Sequence, residues 1–188
     1  MGALKGILGV TGTPGTGKKS VAPLAADLLG VGCFGINELA LAHGFAKAKG
    51  DEFEVDAGRL RRAVSSLVPR PSVLYGHLLP AVLDPRLAER VVVLRCEPGV
   101  LKGRLAARGY PPAKVRENLE AELIGLVSSE AHEAFGPVAF DLDATSTTPA
   151  RAAAAVAMLS EGGKGGPRID WTLNYDSAAK LRSLLPPG

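Results

Sequence analysis

The run Gly12-Thr13-Pro14-Gly15-Thr16-Gly17-Lys18 constrains this chain more than any other feature. It follows a short apolar segment, Gly6–Thr11 (GILGVT), and precedes Ser20–Leu29, where Val21, Leu24, Ala25 and Leu28 recur at helical spacing. A glycine-rich turn between a buried strand and a helix is the setting of a phosphate-binding loop. Gly15 and Gly17 let the backbone curl so that successive N–H groups point inward at phosphate oxygens. The helix opening near Lys18 adds its positive dipole end, and the Lys18 ammonium reaches the β- and γ-phosphates of a nucleotide.

The motif then breaks. A Ser or Thr after Gly-Lys normally gives Mg²⁺ a hydroxyl ligand, yet here Lys19 follows and Ser20 comes one position later. One step along a helix turns a side chain by roughly 100°, so Ser20 is only a weak candidate metal ligand. Three readings stay open: a metal held through waters, a metal charge partly supplied by Lys19, or nucleotide binding without much turnover.

The remaining segments alternate between strand and helix patterns. Val31–Phe34, Ser72–Tyr75, Arg90–Leu94 and Val138–Leu142 read as strands, the third being a β-branched run of the kind buried on both faces of a parallel sheet. Helices are expected over Glu38–His43 with Asn37 as cap, after Asp56 through Leu67, and over Val100–Ala107, Ala113–Phe135 and Pro149–Leu159. Ala46–Glu54 is polar without a clear period. Such alternation, joined by short loops, implies a parallel sheet sandwiched by helices. Gly162–Pro167 reads as a flexible linker, and Ile169–Gly188 as a tail whose Trp171 and Tyr175 dock on the domain.

With 188 residues, 46% hydrophobic and 22% charged, the chain has apolar surface for one compact domain. Its longest apolar runs fall far short of the roughly 20 residues a membrane span needs, and Met1–Val10 has no small-residue cleavage site. Cys33 and Cys96 are too few for a disulfide framework or zinc site and read as buried reduced thiols, so a cytoplasmic protein is expected. The net charge is only +3, although Arg59, Arg61, Arg62 and Arg70 cluster, as do Arg104, Arg108, Lys114 and Arg116. Solvated helix faces or a phosphate-rich partner both suit these clusters.

The loop GTPGTGK, then VVVLR (Val91–Arg95), then VLKGRLAARGYPPAKVRENLEAELIG (Val100–Gly125) and the late IDW (Ile169–Trp171) together resemble the adenylate kinase isoenzyme six family. These are small archaeal and nuclear P-loop kinases linked to maturation of the small ribosomal subunit. The resemblance runs in order over about Gly6–Leu159. It implies a nucleoside monophosphate (NMP) kinase core with a five-stranded parallel sheet in the order 2-3-1-4-5. That core would span residues 1–161, with an NMP-binding region near Gly35–Gly58, a lid near Ala107–Glu117, and a linker and tail over 162–188. It also implies ATP and Mg²⁺ as cofactors, AMP or another NMP as acceptor, ATPase activity, and the ribosomal protein uS11 as a partner.

Matched residue by residue, Gly15, Gly17, Lys18, Lys19 and Ser20 fall at the phosphate-binding positions, and Arg108 at the lid arginine that contacts ATP. The family ends its third main strand with an acidic residue, one position and His. Here Tyr75-Gly76-His77 keeps His77 as a candidate site residue and puts Tyr75 where the carboxylate belongs. Asp51, Glu52, Glu54 and Asp56 form an acidic patch that either reaches the metal or acceptor or is simply solvated. Glu117, Glu120 and Glu122 read as a solvated face beside the lid, and His43 and His132 as residues outside the site. A nucleotide-controlled ribosome-assembly factor with weak or no kinase turnover is the rival reading.

Overall fold

The computed structural model describes residues 4–49, 52–163 and 165–185. Five strands form a parallel sheet: β1 (Ile7–Thr11), β2 (Gly32–Gly35), β5 (Ser72–Tyr75), β6 (Ala88–Arg95) and β7 (Ala139–Asp143). They lie in the order β2-β5-β1-β6-β7, which in chain sequence is the expected 2-3-1-4-5. The remaining two, β3 (Ala46–Lys49) and β4 (Glu52–Val55), pair as an antiparallel hairpin, which corrects the reading of Ala46–Glu54 as a polar stretch without a clear period: AKAK and EFEV alternate. Asp51 of the acidic patch and Lys164 of the linker lie outside the described residues.

Alternation along the strands explains the layering. Leu8, Val10, Val73, Val92 and Leu94 point to one face and pack with helices α1 (Lys18–Leu29) and α8 (Pro149–Ser160). Ile7, Leu74, Val91 and Val93 point to the other and pack with α2 (Ile36–Ala42), α3 (Ala57–Leu67), α4 (Leu79–Val82) and α7 (Leu126–Phe135). With both faces covered, each of these fully buried side chains contributes about 1.5–3 kcal/mol. A third cluster joins α5 (Pro98–Ala106) and α6 (Pro112–Leu123) to Trp171, Tyr175 and Leu184, the last in helix α9 (Ala178–Leu184). Tail docking thus occurs where Trp171 and Tyr175 suggest.

Several boundaries differ from the sequence pattern. Gly35, not Asn37, caps α2, and its backbone is extended. Helix α5 starts two residues before Val100, because Glu97 caps Val100 N–H and Pro98 suits the first turn. Cys33 is only half-buried, whereas Cys96 is buried. The expected single helix Ala113–Phe135 is in fact two, α6 and α7. Gly125 breaks it in the left-handed region at φ +65°, and a Cβ there would sit 3.4 Å from the Arg95 guanidinium.

Left-handed backbone costs a residue with a Cβ about 1–2 kcal/mol. Gly125→Ala is therefore expected to lower stability by about 1 kcal/mol, and Ile124→Ala at the 64% exposed neighbour by far less. Urea unfolding of both variants checks this; equal midpoints would mean the break is set elsewhere.

Candidate active site

The loop between β1 and α1 has three glycines at positive φ: Gly12 (+138°), Gly15 (+95°) and Gly17 (+111°). A Cβ on Gly12 would meet the Leu94 carbonyl oxygen at 2.3 Å, so this turn can lie against β6 only without a side chain. Gly17 caps α1 with no side-chain acceptor, which leaves first-turn N–H groups free for an anion. Lys18 folds back across the loop and donates to the Gly12 carbonyl (2.6 Å) and the Thr13 carbonyl (2.9 Å). Burial pulls its pKa down to about 7; Glu122 opposes this, and Arg108 and Lys19 add to it. The side chain is held in readiness for negative charge.

Two cavities meet at this loop. One, of about 380 Å³, lies between the start of α1 and the residues before α8, with Arg104, Thr147 and Thr148 in its wall. The other, of about 220 Å³, is walled by Lys18, Lys19, Asn37, His77 and Tyr110. Gly17, Ser20 and Arg108 line both. Arg104 spends its guanidinium on the Ala144 and Thr145 carbonyls, at 3.0 and 2.8 Å, and so fixes the first cavity's wall. Arg108 is exposed at the mouth of both. Burial, then Lys18 and Lys114, push the His77 pKa down to about 4, so His77 is a neutral hydrogen-bonding group at pH 7.

The residues present do not fit a Mg²⁺ ion held by the protein. Lys19, at the hydroxyl position, carries a cation to the second cavity, and no carboxylate among the described residues lines that cavity. Burial, and then the neighbouring Glu38 carboxylate, raise the Tyr75 pKa, and the same Glu38 lies 3.5 Å from the Lys19 ammonium. Among the described residues no group of three or more His, Cys, Asp or Glu side chains could hold a metal.

Beneath the loop lies a network that sequence spacing misread. Glu122, expected on a solvated face, is 1% exposed. Its Oε2 accepts from Thr13 of the loop (2.5 Å), and its Oε1 from Arg95 Nε (2.9 Å), Cys96 N–H (2.9 Å) and Trp171 Nε1 (3.2 Å). Arg95, equally buried, also donates to Asp141 (3.2 Å) and to the Ile169 carbonyl (2.7 Å). Asp141 in turn takes Ser128 and His132. Only the pairing of Arg95 at a strand end with a glutamate 27 positions on hinted at this, and helical periodicity cannot show which acidic position faces inward.

Comparison with known proteins fits this arrangement. An AAA domain family model matches residues 8–125. The chain is 36% identical over 181 residues to a "Putative adenylate kinase" of Thermococcus onnurineus, covering 95% of this chain and 98% of that one. A protein of the same name from Pyrococcus furiosus is 34% identical over 176 residues, with 90% and 93% covered.

The chain belongs to an adenylate-kinase-like family of P-loop proteins.

Among solved structures, shikimate kinase from Acinetobacter baumannii has a TM-score of 0.59 at 16% identity, covering 85% of this chain and 96% of that one. A gluconokinase from Sinorhizobium meliloti has a TM-score of 0.51 at 19% identity, with 92% and 97% covered. At such identities the likeness is one of fold, that of P-loop kinases. In this adenylate-kinase-like chain, Gly15, Gly17, Lys18, Lys19, Ser20, His77 and Arg108 all line the second cavity. His132 lies away from it on Asp141, and His43 stacks on Phe45, 6.3 Å between ring centres.

Removing Glu122 should unlatch loop and tail together, because a buried guanidinium loses its main partner. Glu122→Ala is expected to cost about 3–5 kcal/mol and shift Trp171 fluorescence to the red, whereas Glu120→Ala, at an exposed pair with Arg116, costs less than about 1 kcal/mol. Similar losses for the two variants in thermal unfolding would contradict this placement.

Proposed function

We propose that this protein is a broad-specificity nucleoside monophosphate kinase that transfers the γ-phosphoryl group of ATP to AMP or a related acceptor, with ATPase activity in the acceptor's absence. One observation carries the reading: two cavities share Gly17 of the loop, Ser20 of α1 and one cation, Arg108. The 380 Å³ cavity receives the nucleoside of ATP, and the 220 Å³ cavity receives the phosphates and the acceptor's phosphate. Asn37 brings the 35–58 region to that second cavity, and Arg108 and Tyr110 bring the lid segment 107–117. The 1–161 core forms the catalytic unit, with 162–188 as linker and docked tail.

Within this reading the acceptor oxygen attacks the γ-phosphorus in line, while loop N–H groups, Lys18 and Arg108 stabilise charge on the equatorial oxygens. Lys18 leaves the Gly12 and Thr13 carbonyls for the phosphates and regains its full charge there. Neutral His77 orients the acceptor phosphate as a hydrogen-bond donor. Catalysis is then positioning, electrostatics and exclusion of water as the lid segment closes.

The rival is a nucleotide-switched assembly factor acting on uS11 and the small ribosomal subunit in the cytoplasm, with weak turnover. Lys19 and Tyr75, in place of metal-side residues, favour slow phosphotransfer and so keep this second reading in play. Among the described residues no helix is long and apolar enough to cross a membrane.

Steady-state ADP formation separates the two: a kinase makes ADP much faster with AMP present than from ATP alone. Arg108→Ala should lower kcat by about 100-fold or more with a smaller rise in the KM for ATP, because an exposed lid arginine meets the phosphates chiefly in the transition state. A large KM effect at constant kcat would reduce Arg108 to ground-state binding.

A further inference from the structure

The second cavity carries an electrostatic imbalance. Lys18, Lys19 and Arg108 line it, and among the described residues no carboxylate does. A divalent cation entering beside Lys19 meets like charge, whereas a triphosphate meets three opposite charges. Lys19 is free to respond. Its ammonium pairs with Glu38 at 3.5 Å, with the two side chains 75% and 53% exposed, and pairs so exposed hold weakly. Glu38 shares the space over Gly35 with the Tyr75 hydroxyl, both lying within 3 Å of where a Cβ on Gly35 would sit, and Lys19, on four flexible methylenes, is the partner that moves.

We propose that Lys19 takes the charge role usually given to the metal: it leaves Glu38 and closes on the β- and γ-phosphate oxygens, so that this site binds the metal-free nucleoside triphosphate. The proposal rests on the reading of this cleft as the triphosphate site. Glu38, beside the Tyr75 hydroxyl over Gly35, forms the resting berth of the Lys19 side chain. The two departures at positions 19 and 75 are then one change, linked through Glu38. Ser20, exposed on α1 and lining both cavities, donates its hydroxyl to a phosphate oxygen.

Titration calorimetry with ATP in excess EDTA and in excess Mg²⁺ tests this on the full chain. The parent should bind at least as tightly in EDTA as with Mg²⁺, because the metal cancels charge that three cations would otherwise meet. Lys19→Ser should lose tenfold or more affinity in EDTA and become tighter when Mg²⁺ is added. Glu38→Gln, which frees Lys19, should gain about two- to threefold in EDTA. A parent that binds ATP only with Mg²⁺, or tenfold tighter with it, overturns the proposal alone. So does a Lys19→Ser variant whose affinity in EDTA stays within twofold of the parent. A parent that binds ATP in neither medium overturns the cleft reading and the proposal with it. Lys19 and Glu38 are both exposed, and unchanged circular dichroism checks that the variants fold.

Discussion

A single buried carboxylate organises much of this molecule. Glu122 accepts from the phosphate-binding loop through Thr13, from the end of the central strand β6 through Arg95 and Cys96, and from the tail through Trp171. An isolated charge at 1% exposure would cost several kcal/mol, and here four donors, one of them a guanidinium, satisfy it. The guanidinium is itself divided between Glu122 and Asp141. The Glu122 carboxylate is the favourable influence on Lys18, set against burial and the neighbouring cations Arg108 and Lys19.

The geometry that follows is that of a site waiting for anions. Loop N–H groups, a half-neutralised Lys18, Lys19 and Arg108 converge on one cleft, and His77 beside them is neutral at pH 7 because burial and two lysines discourage its protonation. Loop and sheet are tied by Thr11, whose hydroxyl donates to the Gly76 carbonyl (2.8 Å) one residue before His77. The strand carrying the loop and the strand carrying the histidine thus end in fixed relation, at the carboxyl edge where parallel sheets place ligands.

The strands were legible because each carries a local signal, a short apolar run beside a turn or glycine motif, whereas their order came from the family resemblance and not from those signals. The loop residues were legible from local signals too, since Gly12, Gly15 and Gly17 each answer a backbone need. Glu122 was not: spacing places it with Glu117 and Glu120 on α6, and only the distant Arg95, Thr13 and Trp171 turn it inward. The hairpin β3–β4 was missed although AKAK and EFEV each alternate apolar and polar residues about Gly50-Asp51, because four-residue strands give a period too short to stand out in a charged stretch. The helix break at Gly125 was missed because one glycine in an amphipathic run reads as tolerated, whereas here Arg95 packs against it. Glu38 had no sequence signal at all; its role comes from proximity to Lys19 and Tyr75.

The central claim is that Lys18 waits partly discharged against loop carbonyls and is recharged by phosphate. Calorimetry of ATP binding at pH 8.5 in two buffers of different ionisation enthalpy measures the protons taken up. With the Lys18 pKa near 7 in the free protein, the amine is mostly neutral at that pH, the phosphates of ATP are fully ionised, and binding should take up about one proton. Lys18→Met should bind more weakly and take up none. ATP binding by the parent with the same heat in both buffers would contradict the claim.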